Sequence, residues 1–80
     1  MMMNLETFFE EKDIPTTQWE IEHNGVLHII DSDVVIEAIL ETKGNERTKI
    51  AGTLFALDIK NASIVDYLHF LAKAMIANNS

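Results

Sequence analysis

Asn24-Gly25 stands between two runs that alternate bulky and polar residues, Thr17-Gln18-Trp19-Glu20-Ile21-Glu22-His23 and Val26-Leu27-His28-Ile29-Ile30. A two-residue link of this composition favours the type I′ turn, because both of its positions need positive φ and Asn and Gly tolerate it best. That turn predicts a β-hairpin and one register for it. His23 faces Val26, Glu22 faces Leu27, Ile21 faces His28, Glu20 faces Ile29, and Trp19 faces Ile30. Side chains alternate across a strand, so Trp19, Ile21, His23, Val26, His28 and Ile30 share one face. Gln18, Glu20, Glu22, Leu27 and Ile29 share the other. The first face is the expected core face. The second mixes acids with large aliphatics, which a sheet face meant only for water does not need.

The flanks read as helices. Asn4 is an N-cap candidate for a short helix over residues 5–12, with Met3 and Phe8 at hydrophobic-staple spacing and Leu5, Phe8 and Phe9 as its apolar stripe. Ile14 precedes Pro15, which pushes it to extended geometry and ends the helix. Beyond the hairpin, Asp31, Ser32 and Asp33 are N-cap candidates for a helix to about Thr42, stopped by Gly44. Its run Val34, Val35, Ile36, Ala38, Ile39, Leu40 leaves only Asp33, Glu37 and Glu41 as a polar stripe, so it is expected to be central or covered on two sides. Asn45 is the cap candidate for a helix over 46–59 with Ile50, Leu54 and Leu57 inward. Gly52 within it costs about 1 kcal/mol relative to Ala, which fits either a close helix crossing or slack. Asn61 suits a helix-terminating position. Ser63 and Asp66 then have capping-box spacing for a last helix to about Ala77, with Ile64, Leu68, Leu71, Ala72 and Met75 inward. Asp66, His69 and Lys73 take its polar side, and Tyr67, Phe70 and Ala74 widen its apolar face. The expected fold is therefore α+β: a short N-terminal helix, a two-stranded antiparallel hairpin, then three helices packed against it.

Eighty residues suit one domain, with residues 1–3 expected to be flexible. A 48% apolar content permits a packed core. The absence of cysteine excludes a disulfide framework, a thiolate zinc site and a cysteine nucleophile. No basic n-region or membrane-length apolar run is seen, so the expected location is the cytoplasm. The formal charge is −7, and it is unevenly placed. Residues 1–42 carry −9 and residues 43–80 carry +2, an asymmetry that can steer partners or simply keep an apolar chain in solution.

Catalytic chemistry finds little support. His23 and His28 share a hairpin face and suggest zinc or copper, yet Glu20 and Glu22 point the other way, so no third ligand accompanies them. Ser32 and Ser63 read as helix caps rather than nucleophiles. The stripe Asp33, Glu37, Glu41 repeats as a solvated helix face does. No glycine-rich phosphate loop is present. The expectation is a protein without enzymatic activity, cofactor or metal.

A helix-turn-helix reading of residues 46–77 offers a DNA-associated regulatory domain as the alternative function. Its recognition helix would present Asp66 where base-reading cations belong, so nucleic acid is not the expected partner. A second alternative is an acidic inhibitor of a basic partner, using Glu10, Glu11, Asp13, Glu20 and Glu22. The favoured expectation is a self-associating protein–protein interaction module, a homodimer. A lone hairpin is marginal in water, both its strands are edges, and the helices are more apolar than one covered face requires. Leu27 and Ile29 are its expected interface, bordered by Glu20 and Glu22.

Overall fold

The computed structural model describes residues 4–79 and has the α+β order helix, hairpin, three helices. The elements are α1 (Leu5–Lys12), β1 (Gln18–His23), β2 (Val26–Asp31), α2 (Ser32–Leu40), α3 (Gly44–Ile59) and α4 (Ile64–Asn78). The flexibility expected of residues 1–3 and the Met3–Phe8 staple lie outside the described residues.

Helix α1 starts where Asn4 Oδ1 accepts a hydrogen bond from the Thr7 backbone N–H at 2.7 Å, satisfying one of the amides a helix start leaves unpaired. Asp13 closes it in the left-handed conformation. The chain then turns into β1, and the turn at Asn24 and Gly25 has φ of 53° and 79°, the two positive values that a type I′ link needs. The register is the expected one, extended by a Gln18–Asp31 pair.

The junction of hairpin and α2 is built differently from the expectation. Ser32 does not cap α2 with its side chain; it is completely buried in the first turn of that helix. Its backbone N–H donates to the Thr17 carbonyl at 2.8 Å. Its Oγ accepts from the Thr17 N–H at 2.9 Å and donates to the Pro15 carbonyl at 3.4 Å. The hydroxyl thereby stands in for a backbone carbonyl and adds one rung to the ladder. The preceding Asp31 occupies the N-cap position without a side-chain cap bond.

The boundary between α2 and α3 also moves. Helix α2 ends at Leu40, and the helix expected from residue 46 begins at Gly44, with Lys43 rather than Asn45 at the N-cap position. Gly44 has φ of 61°, a conformation that disfavours residues with a Cβ. Thr42 Oγ1 donates to the Ile39 carbonyl at 2.6 Å, and Arg47 Nη1 donates to the Leu40 carbonyl at 2.8 Å. These side chains satisfy the carbonyls left open at the end of α2. Helix α3 ends in a Schellman motif: Ala62 N–H donates to the Leu57 carbonyl at 2.9 Å and Asn61 N–H to the Asp58 carbonyl at 3.1 Å, with Asn61 at positive φ. Ser63 Oγ then accepts from the Asp66 N–H at 3.1 Å to open α4.

The core comprises Leu5 and Phe8 of α1, Ile21 of β1, Val35 and Ile39 of α2, Leu54 of α3, and Leu68, Ala72 and Ile76 of α4. Helix α2 is central, touching α1, α3, α4 and β2. Phe55, rather than Leu57, joins Leu54 against the core, with its ring edge-on to Phe8 at 5.3 Å. His69, placed on the polar side of α4 by its pattern, instead packs edge-on against Trp19 at 5.3 Å. Phe70 goes outward and is 62% exposed. At Gly52 an added Cβ would meet nothing within 4 Å, so no close helix crossing requires it.

Two stability outcomes follow from these sites. Ser32→Ala removes a buried hydroxyl and leaves the Thr17 N–H without its acceptor, and is expected to lower unfolding free energy by about 1–2 kcal/mol in urea titration. Gly52→Ala adds a methyl group to open space on a helix and is expected to raise it by about 0.5–1 kcal/mol. A loss of stability there would show that Gly52 has a packing role.

Candidate interaction surface

The antiparallel ladder decides which backbone groups remain available. The Ser32-to-Thr17 bond marks a hydrogen-bonded pair, and such pairs alternate along an antiparallel ladder. With the observed register, Trp19–Ile30, Ile21–His28 and His23–Val26 are the hydrogen-bonded pairs. Glu20 and Glu22 therefore direct their N–H and C=O groups away from β2, and Leu27 and Ile29 direct theirs away from β1. Among the described residues the sheet has only these two strands. Both edges thus present unpaired backbone donors and acceptors at the same residues that occupy the outer face.

That outer face holds all four expected interface residues. Glu20 lies directly across from Ile29 and Glu22 directly across from Leu27. Leu27 is 58% exposed and Ile29 61% exposed, and both carboxylates are exposed. On the inner face Ile21 is buried and Trp19 and Ile30 pack against the core. Val26, assigned to that face, sits beside the turn and is exposed. His23 and His28 are half-buried on the inner side. Among the described residues no three His, Asp or Glu side chains come together in a group able to hold a metal ion.

The sequence pattern did not single out a second feature beside β1. A groove of about 600 Å³ runs between the edge of β1 and α4. Glu20, Glu22 and His23 form one wall, and Phe70, Lys73 and Ala74 line the helix side. The signal for it was present in the apolar excess of α4 at Phe70 and Ala74. Helical periodicity places those residues on a flank but does not say whether that flank is covered.

At the other end of the molecule Arg47 joins three helices. Besides its bond to α2, it donates from Nη2 to Glu6 Oε1 at 2.9 Å and Oε2 at 3.1 Å. Lys12 pairs with Asp58 and its ammonium lies 5.7 Å from the centre of the Phe8 ring. Hydrogen bonding from its own backbone, and then the Arg47 guanidinium, hold the Glu6 carboxyl below its ordinary value.

No known protein family, curated protein or solved structure matches the chain.

The Glu6 linkage has a defined sign. Because its folded-state pKa is lowered, its contribution is present above the ordinary glutamate pKa and is lost as pH falls through the lowered value. In an NMR titration, Glu6 is expected to titrate below an ordinary glutamate and to move back upward in Arg47→Met. A Glu6 midpoint unchanged by that substitution would show that Arg47 does not contribute.

Proposed function

We propose that this protein is a non-catalytic protein–protein interaction module that self-associates as a symmetric homodimer through its hairpin, acting in the cytoplasm without a cofactor. The observation that carries the reading is the exposure of Leu27 and Ile29 in the middle of a sheet face, on a strand whose edge is unpaired. Exposed aliphatics beside an open edge invite strand pairing unless charge opposes it. The charges here oppose it on one edge only. A two-fold pairing of β1 with its copy brings Glu20 and Glu22 against the same acids, and like charges across strands repel. A two-fold axis at His28 of β2 instead sets Leu27 of each copy opposite Ile29 of the other. The result is a four-stranded sheet with an apolar centre and Glu20 and Glu22 at both margins. No helix among the described residues is long and apolar enough to cross a membrane, and the surface in question is a sheet face.

The structure offers less to the DNA reading. The exposed start of α4 carries Ser63, Val65 and Asp66, a surface without the cations that phosphate and base edges require.

Sedimentation at high micromolar concentration is expected to give a species of twice the 9.1 kDa chain mass. Leu27→Lys with Ile29→Lys is expected to convert it to monomer with helicity by circular dichroism unchanged, since both side chains are mostly exposed. A wild-type chain that sediments as monomer would overturn the reading. So would a double variant that unfolds, because those residues would then belong to the monomer's own packing.

A further inference from the structure

We infer that the edge of β1, together with the groove along α4, takes up an extended peptide segment of a partner protein with alternating basic and apolar residues. Three features converge on this occupant. Glu20 and Glu22 offer outward backbone N–H and C=O groups, the requirement for adding a strand to a sheet edge. An added strand runs along the groove of about 600 Å³ between the β1 edge and α4. Phe70 waits on the helix side of that groove, 62% exposed, with Ala74 one turn further along.

The pattern of the incoming segment follows from the pleat. Residues directly opposite Glu20 and Glu22 share their face of the sheet, so Lys or Arg there gains an opposite charge across the strand pair. The residues between them point to the inner face and meet Phe70 and Ala74, where apolar side chains are favoured and Lys73 repels cations. The chain's own strands fit this edge poorly. A copy of β1 brings like charge, and a copy of β2 brings Leu27 and Ile29, which leave the two glutamates unpaired. This site is separate from the β2 edge assigned to self-association and does not depend on it.

The test is fluorescence anisotropy with the full chain and a labelled, end-capped Lys-Val alternating peptide, matched in length to the 6 residues of β1. Binding is expected, with the Glu-Val alternating peptide at least about tenfold weaker. Glu20→Lys with Glu22→Lys, and separately Phe70→Ser, are each expected to weaken the Lys-Val peptide about tenfold while helicity is retained. Backbone methylation separates strand addition from simple charge attraction. In antiparallel pairing to β1 the Lys amides face β1 and the Val amides face solvent, so N-methylation at Lys abolishes binding and N-methylation at Val preserves it. Equal binding of the two methylated forms, equal binding of the acidic peptide, or no binding at about millimolar peptide overturns the inference. The Leu27→Lys, Ile29→Lys variant is expected to bind the peptide as the parent does; loss of binding in that folded variant also overturns it.

Discussion

Asn24 and Gly25 both sit at positive φ, and this one backbone constraint settles the parity of twelve residues in two strands. A slip by one residue would invert the faces of one strand relative to the other. With β1 held in place, it would bring Leu27 and Ile29 to the helices and turn Ile30 and His28 to water. The same parity decides which backbone groups pair within the hairpin and which point outward. The outer face and the open edges therefore share their residues for a geometric reason. At the far end of the ladder the Ser32 hydroxyl holds Thr17, so the hairpin is anchored at both ends.

Helix termini organise the remainder. Asn4, Ser63 and the Schellman turn at Asn61 satisfy backbone groups locally. The end of α2 is satisfied from a distance by Arg47, which also reaches Glu6. The charge asymmetry thus has one internal use, since a base from the positive half holds an acid from the negative half. The ion pair is partly exposed, so solvent screens it and it adds little to stability. The bond to the Leu40 carbonyl matters for a different reason, because it closes a helix end close to the core.

The hairpin attaches to this helical layer by few side chains, with Ile21 buried and Trp19 and Ile30 packed beside it. Trp19 is held against His69, so α4 touches the sheet through an aromatic contact as well as through aliphatic packing. Nothing among the described residues covers the opposite face, where Leu27 and Ile29 stand between carboxylates. The distribution of charge gives the two edges different preferences. The β1 edge is acidic, and the β2 edge is aliphatic over Leu27 and Ile29.

Features that act over a few residues were legible in the sequence by itself: the type I′ turn and its register, the Asn4 and Ser63 caps, and the left-handed stop at Asn61. Each depends on a side chain or a φ preference within three or four positions of the backbone group it serves. The candidate interface residues were legible as one face for the same reason. Their exposure was not, because alternation assigns a side and does not say what covers it. Only the tertiary structure buried Ser32 against Thr17 rather than leaving it as a cap, moved the start of α3 to Gly44, and left Gly52 facing open space. It also turned His69 inward to Trp19 and left Phe70 outside. These outcomes depend on contacts between residues distant in the chain, where the position of a neighbouring element, and not local propensity, sets which side of a helix or sheet meets water.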